Sequence, residues 1–255
     1  MVENFTQGEK MEVLEKELPV EYSLIDKFYK SDTSYTRGKE VIGGRKTKEF
    51  FDNFCQIIFR KNLEMYERSG FFPLAYTEKN TYSSISATLD EMKCSHISEW
   101  GLDCNRREDE EKSNRYRFVD FWCEKDGYEF WIEAKAISMN IGKNAYWEFT
   151  TRDDSLIREA ITQVRDVKVL QDGEGVKIAL LTMSAWYREG QQPEDSELES
   201  VPREVAKQLS AYLDKRSDMG LLCGVLDFRE CVEKYDLFDS DERVPYMIVA
   251  GIVLH

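Results

Sequence analysis

The sequence predicts an α/β protein: a mixed β-sheet flanked by helices. Three observations carry that expectation. Stretches with apolar residues at helical spacing alternate along the chain with shorter stretches of strand length. "VKIALLTM" (176–183), "LLCGVLDF" (221–228) and "YMIVAGIVL" (246–254) are almost continuously apolar, the composition of strands covered on both faces. Asp126-Gly127 lies between two segments of alternating character, the strongest short-range signal for an antiparallel hairpin.

Taken in order, residues 1–45 mix short apolar pieces with Gly and Ser and read as an irregular or partly helical arm. Residues 46–255 then read as a single domain. Phe50, Phe54, Ile57, Ile58 and Met65 predict a helix over 47–66 with Thr47 as its N-cap. "FFPLAYT" (71–77) reads as a strand interrupted by Pro73, 84–100 as a helix, and 103–114 as a charged loop. Strands follow at 115–124 and 128–137. Asp153 or Asp154 caps a helix over 155–170, with Ile157, Ala160, Ile161, Val164 and Val167 on one face. A long polar loop precedes a helix opened by Pro202, with Val205, Leu209 and Leu213 turned inward.

Composition narrows the function. The 255 residues are ample for a real core. No apolar run reaches the ~20 residues that span a bilayer, so no membrane role is expected. The acidic, polar start argues against a secretory signal. Six cysteines without CxxC spacing read as reduced thiols in a cytoplasmic chain. Cys94, His96 and Cys104 lack a fourth ligand at zinc spacing. Two histidines, one of them terminal, leave little for His-based acid–base chemistry. No Walker loop or GxGxxG fingerprint is present. The net charge of −14 argues against a general nucleic-acid coat, because phosphate contacts need a basic surface. The charge is uneven, however. Residues 192–200 and 235–243 are strongly acidic, whereas "RGKEVIGGRKTK" (37–48) and "FRK" (59–61) are locally basic.

The hairpin holds the most informative pattern. A two-residue turn at Asp126-Gly127 pairs Lys125 with Tyr128, Phe121 with Ile132 and Asp120 with Glu133. In that register Val119, Phe121 and Cys123 share an apolar face with Phe130, Ile132, Ala134 and Ala136. The other face carries Phe118, Asp120 and Trp122 beside Trp131, Glu133 and Lys135. Opposed carboxylates repel, and a divalent cation offsets that repulsion better than a lysine does. Hard cations such as Mg²⁺ take one or two carboxylates plus waters and substrate oxygens. Asp120 and Glu133 supply the carboxylates, the Ala134 carbonyl a third oxygen, and Lys135 a donor for a water or a developing negative charge. Acid-x-Lys occurs four times, at Glu91, Glu110, Glu133 and Asp166, but only Glu133/Lys135 falls in a strand with an acid opposite. The bland alternative is a solvated sheet face on which a lysine screens two acids.

An Asp on one strand followed by Glu133-Ala134-Lys135 on the next resembles the signature of the PD-(D/E)xK phosphodiesterase, or restriction-endonuclease-like, superfamily. Val119 stands where the pattern usually has proline. The resemblance implies an αβββαβ core, here helix 47–66, strand 71–77, the hairpin strands, helix 155–170 and strand 176–183. It implies Mg²⁺-dependent hydrolysis of nucleic acid, DNA first, with Mn²⁺ as a substitute and a homodimer as one mode of cutting two strands. It adds Glu49 on the first helix and Gln163 on the second as loose matches to accessory catalytic positions. Arg117, Lys143 and Arg152 are candidates for substrate phosphates. The rival reading is a catalytically inactive member of the same fold that binds or assembles through its acidic surface.

Overall fold

Helix α1 (Gly44–Ser69) forms where the apolar spacing predicts it, extended by a few residues at each end. Phe51, Phe54, Ile58, Phe59 and Leu63 are fully buried on its inner side, each contributing roughly 1.5–3 kcal/mol. The computed structural model describes residues 20–28, 44–102, 117–143, 148–167, 175–213, 219–232 and 241–254. Residues 1–19 and 29–43 of the expected arm and the charged loop at 103–114 lie outside them, as does Cys104.

The described residues form a seven-stranded mixed sheet with helices on both faces. Its strands are β1 (Glu21–Phe28), β2 (Ser95–Leu102), β3 (Arg117–Lys125), β4 (Tyr128–Asn140), β5 (Gly175–Arg188), β6 (Met219–Asp227) and β7 (Glu242–Leu254). They lie in the order β1-β6-β7-β5-β4-β3-β2. Neighbours are antiparallel except β4 and β5, which run parallel and are joined through α3 (Thr151–Arg165). A parallel pair needs such a crossover, because a tight turn can only return the chain antiparallel.

One layer is α1 with α2 (Glu78–Glu91), packed on Phe121, Phe130, Ile132, Leu180 and Val249. The Phe50 and Phe130 rings stack with centroids 3.8 Å apart, tying α1 to β4. Helix α1 lies close to the sheet because glycines face it. A Cβ on Gly251 would stand 2.5 Å from the Phe51 ring, and one on Gly224 2.6 Å from the Cys55 sulfur. The opposite layer is α3 with α4 (Asp195–Leu209), whose Ile157, Ala160, Val164, Val201 and Val205 cover Leu181, Met183, Ile248 and Ile252.

Several expectations are corrected here. The arm before residue 46 supplies β1, an edge strand paired with β6. Residues 71–77 form no strand; Pro73–Ala75 is a buried 3₁₀ turn, since proline withholds a ladder amide and fixes φ. The helix expected over 84–100 is α2, which ends at Glu91; β2 takes Ser95–Leu102. The cap of α3 is Thr150, with Asp153 completing a reciprocal capping box three residues on. Helix α4 starts at Asp195 and contains Pro202, rather than opening with it. No helix among the described residues is long and apolar enough to cross a membrane, and the five described cysteines are free.

Candidate metal and phosphate site

The site grows out of the hairpin. Asp126 and Gly127 both take positive φ, +53° and +83°, as a type I′ turn requires. Pairing then runs from Lys125–Tyr128 to Phe121–Ile132, in the register read from the sequence. It stops there. The expected regular pair Asp120–Glu133 is replaced by a side-chain link, in which Asp120 Oδ2 accepts the Ala134 amide at 2.7 Å.

Alternation along β3 changes at the same point. Phe121 and Cys123 pack with α1 and α2, but Val119 joins the opposite core beside Trp131, so the expectation that Val119 shares their face is corrected. On β2 the matching level is Glu99, with φ +52°, where the β2–β3 ladder also skips a pair. Two strands therefore break step together and leave an edge of β4 unpaired at Glu133. An amide and carbonyl of one residue point to the same edge of a strand. The Ala134 carbonyl thus opens towards Asp120.

Helix α2 closes the cluster. The Tyr82 hydroxyl donates to Asp120 Oδ1, and it also lies 3.2 Å from Glu78 Oε1. Lys135 Nζ donates to Glu133 Oε1 at 2.9 Å and lies 3.6 Å from Glu78 Oε2. Glu133 and Lys135 are only 3% and 7% exposed, which rules out the solvated-face alternative. Glu133 Oε2 is buried and has no partner within hydrogen-bond distance among the described residues, although the nearby Asp120 backbone amide favours the ionised carboxylate.

Burial sets the electrostatics. It pushes the Glu133 carboxyl up from 4.5 to about 7, with the neighbouring Asp120 charge adding to the rise and Lys135 opposing it. Burial also raises Asp120, against the hydrogen bonds from Tyr82 and Ala134 that favour its ionised form. Burial pulls Lys135 down, but Glu133, Glu78 and Asp120 outweigh it and hold the ammonium above its ordinary value. Lys135 is therefore a donor at neutral pH.

Among the described residues no group of three or more His, Cys, Asp or Glu side chains is gathered closely enough to hold a metal ion. The donor set that is present nevertheless fits a hard cation completed by water and substrate. It offers two carboxylates, that of Glu133 with one buried oxygen lacking a hydrogen-bond partner among the described residues, and an outward carbonyl. The structure joins Asp120, Glu133, Ala134 and Lys135, and adds Glu78 and Tyr82, which sequence reasoning missed. Their i, i+4 spacing on a helix is visible in the sequence, but nothing there connects α2 to Asp120.

The other candidates take no part in these hydrogen bonds and ion pairs. Glu49 is exposed on α1 and pairs with Lys46 at 3.1 Å. Gln163 sits on α3, in the layer that also covers Ala179 and Leu181, the register partners of Glu133 and Lys135, and its amide oxygen is buried with no hydrogen-bond partner among the described residues. Lys143 is exposed just after β4, with its backbone amide bonded to the Gln191 carbonyl at 2.8 Å. Arg152 is exposed in the first turn of α3. Arg117 opens β3, and its side chain lies outside the described residues. No protein-family model, curated protein or solved structure matches the chain.

Proposed function

We propose that this chain is a divalent-cation-dependent nuclease of the PD-(D/E)xK, restriction-endonuclease-like type, hydrolysing phosphodiester bonds of nucleic acid and of DNA first. The observation that carries the proposal is the meeting of Asp120, Glu133 and Lys135 at the unpaired edge of β4, with one Glu133 oxygen buried and without a hydrogen-bond partner among the described residues. The element order α1-α2-β2-β3-β4-α3-β5 supports it, with an additional helix, α2, before the first strand and β2 in place of the strand expected at 71–77.

In this reading Asp120, Glu133 and the Ala134 carbonyl hold Mg²⁺, or Mn²⁺ in its stead. The bound ion would lower the pKa of a water and neutralise charge on the phosphoryl oxygens. Lys135 keeps its proton and aims it at the water or at the negative charge that grows on the phosphate. Glu78, with Oε2 3.6 Å from the ammonium, is a second acid beside Lys135. The rival reading, an inactive binding or assembly protein, draws on the net charge of −14.

Incubating the protein with single- and double-stranded DNA and RNA, in Mg²⁺, Mn²⁺ or EDTA, separates the two. The nuclease reading expects cleavage with either cation, none in EDTA and none by Asp120→Asn, whose Tm stays within a few degrees. Absence of cleavage from all four substrates, with no Mn²⁺ binding, favours the rival.

A further inference from the structure

We infer that Tyr82 is a positioning residue that fixes the orientation of Asp120 for a divalent cation; this rests on the metal-dependent reading above. The Tyr82 hydroxyl has one proton and two carboxylate oxygens within reach. It meets Asp120 Oδ1, and Glu78 Oε1 at 3.2 Å is the second acceptor within reach.

The hydroxyl cannot wander, because its ring is held. Tyr82 is half-buried and meets the Phe121 ring edge-on, with centroids 5.2 Å apart and planes at 74°. Phe121 is itself fully buried and adjoins Asp120 in the chain. The same core that places Asp120 thus places the group that holds its side chain.

Asp120 is gripped at both oxygens by donors from different elements: Tyr82 of α2 at Oδ1 and the Ala134 amide of β4 at Oδ2. Rotating the carboxylate breaks one of them. An ionised carboxylate has about four lone-pair sites, so two such bonds leave acceptor capacity for a cation while fixing its direction. Hydrogen-bond partners behind a metal-ligating carboxylate typically contribute 10–100-fold to metal affinity.

Tyr82→Phe removes the hydroxyl and keeps the ring; Tyr82→Leu removes both. Mn²⁺ affinity by calorimetry, beside thermal melts in EDTA, reads the two roles separately. The expected result is a loss of Mn²⁺ affinity on the order of 10–100-fold in both variants, with a Tm loss in the Leu variant alone. Wild-type affinity in the Phe variant, with any loss confined to Leu, assigns Tyr82 to packing and overturns the inference while leaving the metal site standing. A wild-type protein that takes up no Mn²⁺ overturns the inference together with the reading it rests on.

Discussion

Strands β4 and β7 have the same length and lie within the same sheet, but their interiors differ. From Val244 to Leu254 every residue of β7 is buried and none is charged; β5 and β6 occupy its edges and helices cover its faces. The middle of β4 is as deeply buried, yet it contains Glu133 and Lys135. Burying an ion pair costs several kcal/mol per ion in desolvation, and well-packed apolar residues often do as well or better. Stability alone does not account for β4. The β7 centre serves the core, while β4 gives up one edge of its ladder and accepts buried charge at the same place, which is the pattern of a functional site paid for in stability.

The largest effect expected from breaking this contrast is at Lys135. Above pH 7, where Glu133 is ionised in the native protein, Lys135→Ala strands Glu133 and Glu78 without their cation and should destabilise by about 3–5 kcal/mol. The double variant Glu133→Gln/Lys135→Met should recover most of that loss in urea unfolding. A Lys135→Ala cost under ~1 kcal/mol, the scale of a surface ion pair, would mean that β4 is no different from a solvated strand.

Next is the pH dependence of the metal-free protein. Glu133 rises from 4.5 to about 7 on folding, so the native state keeps a proton that the unfolded chain releases between those values. Its contribution is complete below about 4.5 and is lost as pH rises through about 7. In EDTA, stability should fall between pH 5 and pH 8, by up to about 3 kcal/mol from this group. Glu133→Gln should flatten the slope; an unchanged slope would place the proton elsewhere. The smallest effect is on the apolar side of the comparison. Gly251→Ala drives a methyl into Phe51 and should cost about 1–3 kcal/mol, with Mn²⁺ affinity unaffected.

The two regions also differ in what the sequence made legible. Strands β5, β6 and β7 stand out by composition, and Asp-Gly gives the hairpin and its register from Lys125–Tyr128 to Phe121–Ile132. What local pattern could not carry was the break in step at Asp120. It depends on the positive φ of Glu99, a residue in a different strand. Strand β2 was hidden for a related reason: Ile97 and Trp100 sit three apart, as on a helix, while the strand's alternation is interrupted at Glu99. Strand β1 gains its partner, β6, only from the far end of the chain. Glu78 and Tyr82 were missed because the packing of α2 on β3, not any spacing near the motif, brings them to Asp120. Glu49 matched an expectation about the first helix, but the acid that reaches Lys135 is Glu78 on the second.

The most direct measurement is a crystal soaked in manganese and read by its anomalous signal. The account predicts one strong peak at the open edge of β4, at metal-ligand distance from carboxylate oxygens of both Asp120 and Glu133, and lost in Glu133→Gln. A well-ordered crystal with manganese bound only elsewhere, or with none, would contradict it.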